Sequence, residues 1–142
     1  MSPAALPPAQ GGSETILLVE DELSVRLLVA GILNKRGYTV HESASGTEAL
    51  ELFEHHGGKV DLLLTDMVMP GGVLGPELAA RLKQQKPSLK VLYMTGYNPA
   101  IAGKDLDPAE AFNLLLKPFS SSELLRVVRQ CLDGTRAPKP PV

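Results

Sequence analysis

Cysteine is almost missing from this sequence. Cys131 is the single one in 142 residues, so no internal disulfide can form, and the chain is expected in a reducing cytoplasm. A basic surplus is missing as well. The 14 Lys and Arg against 16 Asp and Glu leave a net charge of −2 and a pI of about 5.9. That is too little positive charge to neutralise phosphates along a duplex, so this domain is not expected to bind nucleic acid. No apolar run approaches the roughly 20 residues of a membrane span, and none is expected to enter a bilayer. No cationic stretch with an apolar core opens the chain, which argues against a signal peptide. Neither G-x-G-x-x-G nor G-x-x-x-x-G-K-[ST] occurs, which argues against flavin or nucleotide binding. What is present is ordinary. Hydrophobic residues make up 44% and charged residues 21%, the balance of a globular domain and not of a disordered or collagen-like chain.

Residues 1–13 (MSPAALPPAQGGS) and 134–142 (GTRAPKPPV) are rich in Pro, Gly, Ala and Ser and carry no apolar period; they read as flexible linkers or tails. Residues 14–133 are left for one fold. Within them, short continuous apolar runs at Thr15–Val19, Val60–Thr65, Lys90–Met94 and Ala111–Leu116 predict strands buried on both faces, while the alternating Tyr38–Ser43 predicts an edge strand. Helical patterns lie between them. Val25, Leu28, Val29, Ile32 and Leu33 form one stripe ahead of Gly37. Ser45 with Glu48, and Ser120 with Glu123, are capping-box patterns. Pro76 suits the first turn of a third helix, and Gly134 stops the last. The stretch from Thr95 to Ala111 holds Pro99, Gly103 and Pro108 and predicts a short or broken helix. Strict alternation implies an α/β, flavodoxin-like fold: five parallel strands in order 2-1-3-4-5, with helices on both faces.

In such a sheet, ligands sit beyond the carboxyl ends of the strands. The first strand ends in Glu20-Asp21, the third in Asp66, the fourth in Thr95 and the fifth in Lys117. Strands 1, 3, 4 and 5 are neighbours in that order, so these groups converge with Asp66 near the centre. Three carboxylates against one ammonium leave two net negative charges. Two carboxylates about 5 Å apart repel by roughly 3 kcal/mol at an effective dielectric of 20. A divalent cation with hard oxygen ligands, Mg²⁺ or Mn²⁺ in its place, would relieve that repulsion.

The segments ILLVEDE (16–22), LLLTDMVMPGG (62–72), KVLYMTGY (90–97) and LLLKPFS (114–120), in this order and spacing, resemble the response-regulator receiver domain of two-component signalling. MPGG and TGY are most similar to receivers at the C-terminal end of hybrid sensor histidine kinases. The resemblance implies that Asp66 accepts a phosphoryl group from a phosphohistidine. It implies that Mg²⁺ is held by Asp21 and Asp66 directly, by the backbone carbonyl of Val68, and by Glu20 through water. Thr95 would hydrogen-bond a phosphoryl oxygen, Lys117 would pair with Asp66 and then with the phosphoryl group, and Pro118 would follow a cis peptide bond. The implied partner is a histidine kinase or histidine phosphotransfer domain, docking near the first helix and the loop after strand five, with the chain a monomer or weak dimer.

The sequence departs from the family pattern at Leu114, where many receivers carry a ring that swings inward on phosphorylation. Val68 and Tyr97 flank the family's path for attacking water, and an apolar branch and a ring there imply slow hydrolysis. Taken singly, each site residue has a plainer reading: helix-dipole acids at Glu20 to Glu22, a turn residue at Asp66, a cap at Thr95, surface at Lys117. His55 and His56 suit a helix C-terminus, His41 a solvent-facing edge, and Cys131, Met67, Met69 and Met94 suit packing. A phosphorylation-independent pseudo-receiver is opposed by the complete set of polar residues. An aspartate-nucleophile phosphatase wants a second acid where Val68 stands.

Overall fold

The structure, a computed structural model, describes residues 11–67, 75–96 and 114–134. Its elements are β1 (Thr15–Val19), α1 (Leu23–Lys35), β2 (Thr39–Ser43), α2 (Gly46–His55), β3 (Leu62–Asp66), α3 (Gly75–Gln85), β4 (Lys90–Thr95), β5 (Leu114–Leu116) and α4 (Ser121–Asp133). All strand pairs are parallel, in the order β2-β1-β3-β4-β5, as the alternation predicts. Leu18 lies beside Leu64, Leu64 beside Leu92, and Met94 beside Leu115. β3, at the centre, is buried along its whole length, whereas β2 at the edge is only partly covered.

Successive strand residues point to opposite faces, which divides the interior into two layers. Ile16, Leu18, Leu64 and Leu92 share one core with Val29 and Leu33 of α1 and Leu124 and Val128 of α4. Leu17, Leu63 and Tyr93 share the other with Phe53 of α2 and Leu78 and Leu82 of α3. Cys131 is buried in the first of these, its Sγ donating to the Val91 carbonyl at 3.5 Å. Both capping serines work as the pattern predicts. Ser45 Oγ accepts from the Glu48 amide at 3.2 Å and Ser120 Oγ from the Glu123 amide at 3.1 Å. Gly134 ends α4 in the left-handed region at φ 71°.

Several expectations change. β2 starts at Thr39 and β4 runs on to Thr95. Leu28 is not part of the α1 stripe but 62% exposed. At about 100° per residue it sits a quarter-turn outside Val29 and further from Leu33, which face the core. The third helix begins at Gly75, one residue before Pro76. β3 runs from Leu62 and not from Val60. His41 is half-buried, its ring stacked on that of His56 at a centroid distance of 3.8 Å, because α2 packs over that face of β2. The crossover with Pro99, Gly103 and Pro108, and residues 111–113 of the expected fifth strand, lie outside the described residues.

One ion-pair cluster ties the start of the fold to its end. Arg129 of α4 donates to both Glu14 carboxylate oxygens (2.6 and 3.1 Å), to Asp133 (2.8 and 3.1 Å), to Tyr38 Oη (3.3 Å) and to the Gly11 carbonyl (3.0 Å). The Gly12 amide donates to the Arg36 carbonyl at 3.1 Å, so part of the expected leading segment is joined to the domain. The Arg129 hydrogen bonds hold the Glu14 carboxyl below its usual range. A carboxylate lowered in the folded state contributes stability above its unfolded value and loses it as pH falls through the folded one. Glu14→Gln should therefore cost about 1 kcal/mol at neutral pH, a modest figure because solvent reaches the carboxylate, and the difference from wild type should fade in acid. Urea unfolding at several pH values checks this; a pH-independent difference would contradict it.

Candidate functional site

Parallel strands place their carboxyl ends on one edge, and there the polar residues gather. The Glu20 amide still donates to the Ser43 carbonyl of β2 at 3.1 Å, extending β1 by one bond before the chain turns into α1. Asp66 closes β3, Thr95 closes β4, and Lys117 follows β5, its amide donating to the Thr95 carbonyl at 2.8 Å. Glu20 and Thr95 are 1% exposed and Asp66 is 8% exposed, whereas Asp21 lies open at the rim.

Oxygens of Glu20, Asp21 and Asp66 all lie within 4.8 Å of one another. Lys117 Nζ donates to Glu20 Oε1 at 2.7 Å and to Asp66 Oδ2 at 3.2 Å. The other Glu20 oxygen accepts from the Glu22 amide at 3.0 Å. The resemblance pairs Lys117 with Asp66 first; here its shorter bond goes to Glu20, whose burial demands a charge partner more strongly. The Lys117–Pro118 peptide is cis, as expected.

The electrostatics follow from crowding. Burial, together with the neighbouring Glu20, pushes the Asp66 carboxyl up to about 7, and Lys117 only partly opposes them. Burial also raises Glu20, but hydrogen bonds from Lys117 and the Glu22 amide outweigh it and hold this carboxyl below its usual range. Burial lowers Lys117, and the Glu20 and Asp66 carboxylates more than reverse it. The set thus offers hard oxygen donors and two surplus negative charges, which fits a divalent cation of the Mg²⁺ class. Among the described residues, no other group of three or more acidic, histidine or cysteine side chains converges closely enough to hold an ion.

Val68, Met69 and Tyr97 lie outside the described residues. Leu114 is half-buried against the α2–α3 core. Two residues that the sequence does not single out also shape the site. A Cβ on Gly75 would come within 2.5 Å of the Asp66 carbonyl, and its amide donates to the Met67 carbonyl at 3.0 Å. Arg26 Nη1 donates to the Glu20 carbonyl at 2.8 Å. A glycine before a helical proline, or an arginine in a first turn, carries no local pattern that would betray these contacts.

Comparison with known proteins agrees with the geometry. The family model for the response regulator receiver domain matches residues 16–129. The chain is 43% identical over 122 residues to the sensor kinase CckA of Brucella abortus (strain 2308), covering 86% of this chain but 13% of that protein. It is 34% identical over 117 residues to the response regulator receiver protein CpdR of the same organism, covering 82% of this chain and 95% of that one. The solved receiver domain from the hybrid histidine kinase CckA superposes with a TM-score of 0.69 at 36% identity, covering 83% of this chain and 98% of that chain. The sheet order, the acidic edge and these relatives coincide: this chain belongs to the response regulator receiver domain family.

Proposed function

We propose that the acidic edge is a phosphorylation site in a histidine-to-aspartate phosphorelay, with Asp66 as the acceptor. The observation that carries this is the position of Asp66: buried, central, and within reach of two further carboxylates and one ammonium. An Asp66 oxygen attacks phosphorus in line, a P–O bond forms, the P–N bond to the donor imidazole breaks, and the imidazole nitrogen keeps that electron pair. Such transfer needs chiefly positioning and neutralisation of charge. Asp21, Asp66 and the Val68 carbonyl would hold Mg²⁺ (Mn²⁺ in its place), with Glu20 acting through water because both of its oxygens already have protein partners. When bound there, the ion supplies positive charge at the phosphoryl oxygens. Lys117 follows the charge from Asp66 to the phosphoryl group, and the Thr95 hydroxyl donates to a phosphoryl oxygen. The same constellation serves later attack of water on the acyl phosphate, so the domain promotes its own phosphorylation and dephosphorylation.

The phosphodonor comes from a partner. The rings of His41, His55 and His56 cluster at the C-terminal end of α2, away from the edge where α2 starts. On α1, the helix that follows Asp21 in the chain, Leu23, Leu27 and Leu28 are 56%, 55% and 62% exposed. Exposed leucines on the helix leading out of the acidic loop suit contact with the helix bundle of a histidine kinase or phosphotransfer domain. We take residues 14–133 as the receiver and the flanking residues as connectors, working either alone at the length of CpdR or as part of a larger kinase such as CckA. None of the described helices is long and apolar enough to cross a membrane, which is compatible with a cytoplasmic relay.

Intact-mass measurement after acetyl phosphate with Mg²⁺ tests the proposal. Wild type should gain one phosphoryl group and Asp66→Ala none. An unlabelled wild type would favour a phosphorylation-independent binding module; label retained in the variant would move the acceptor elsewhere.

A further inference from the structure

We propose that Arg26 is a positioning residue that fixes the Glu20–Asp21 peptide so that the acidic loop can hold the cation; this rests on the reading of the site given above. The loop between β1 and α1 carries three acids in succession, Glu20, Asp21 and Glu22, and mutual repulsion should spread them. Each group of Glu20 is tied down instead. Its amide donates to the Ser43 carbonyl at 3.1 Å, one carboxylate oxygen accepts from Lys117 at 2.7 Å, and the other accepts from the Glu22 amide at 3.0 Å. The remaining group, the carbonyl, accepts from Arg26 Nη1 at 2.8 Å. That carbonyl belongs to the peptide plane leading into Asp21, so the guanidinium sets the direction from which Asp21 leaves the strand.

Arg26 is itself held. Its side chain is largely buried between α1 and β2, and Nε lies 3.6 Å from Glu42 Oε1. The planar guanidinium thus bridges the edge strand and the metal-facing loop, which a single-point ammonium does less rigidly. It stands behind the ligands, donating to the Glu20 backbone and not to a ligand carboxylate, as outer partners that orient ligands commonly do.

Position and charge predict opposite signs. Removing a cation beside an acidic cluster would, through charge alone, tighten Mg²⁺ binding. Loss of an orienting partner typically weakens metal affinity tenfold or more. The experiment is calorimetric titration of Mg²⁺ into the metal-free chain for wild type, Arg26→Ala and Arg26→Lys, with hydrogen exchange at the Glu22 amide in the absence of metal. Arg26→Ala should bind Mg²⁺ about tenfold more weakly and exchange the Glu22 amide faster, because Glu20 Oε2 no longer stays in place. Arg26→Lys, which keeps the charge and one donor but not the two-point fork, should fall between wild type and Arg26→Ala in both readouts. Mg²⁺ affinity equal to or tighter than wild type in Arg26→Ala would overturn the proposal while leaving the site reading intact. A wild type that binds no Mg²⁺ would overturn both. Should Arg26→Ala not fold, the Lys variant and the wild-type exchange decide: an unprotected Glu22 amide in wild type is incompatible with the proposal.

Discussion

Asp66→Asn should unfold at a higher temperature than wild type in metal-free buffer at pH 8. The proposed phosphoacceptor is thus a cost to the resting fold. Its carboxyl is buried near Glu20 and raised from an ordinary 3.8 to about 7. Between those values the folded protein holds a proton that the unfolded chain releases, so Asp66 makes stability fall as pH rises across that window. Asparagine resembles the protonated acid and escapes the loss. The gain should be near zero at about pH 4, grow through neutrality and level off above about pH 7 at a few kcal/mol, on the order of 3. Magnesium should reverse the ranking. A cation bound by the acids stabilises wild type in proportion to its occupancy, and the variant, short of one acid, should respond far less. Thermal unfolding across pH, with and without Mg²⁺, reads all of this. A variant no more stable than wild type at pH 8 would show that Lys117 alone suffices to neutralise the pocket.

Gly75→Ala should act in the opposite direction and harm both stability and the site. The added Cβ would meet the Asp66 carbonyl at 2.5 Å and the Met67 backbone at 3.1 and 3.2 Å. Backbone atoms cannot rotate away as a side-chain tip can, so the start of α3 must move off the end of β3. Overpacking of this kind costs about 1–3 kcal/mol. The Gly75 amide would also lose its 3.0 Å bond to the Met67 carbonyl. Because β3 delivers Asp66, labelling by acetyl phosphate should slow in the folded fraction of Gly75→Ala. Ala79→Gly, on the same helix but packed in the core, provides the contrast: it should destabilise without slowing labelling. Equal labelling rates in wild type and Gly75→Ala would dissociate helix placement from the site.

Much of the molecule was legible from local patterns. Buried strands such as Leu62–Asp66 announce themselves as continuous apolar runs, and the serines at 45 and 120 mark the helix starts by a rule of three residues. The convergence of Glu20, Asp66, Thr95 and Lys117 was legible too, since alternation implies a parallel sheet and a parallel sheet implies one shared edge. Leu28 misled because adjacent apolar residues fit a stripe on paper, although only about a third of a helix surface can face a core. The stacking of His41 on His56 depends on how α2 lies over an edge strand, which no spacing reports.

From residue order and chemistry alone came the strand and helix sequence, the single parallel sheet with helices on both faces and the kinds of group at its edge. These follow from interactions within a few residues and from the limited ways that alternating strands and helices pack. Packing alone decided that Lys117 reaches Glu20, 97 positions away, more closely than Asp66, that burial and Glu20 together raise the Asp66 carboxyl, and that Arg26 and Gly75 lie against the backbone on either side. Such choices turn on differences of a fraction of an ångström between chain segments remote in sequence, and only the closed core brings those segments together.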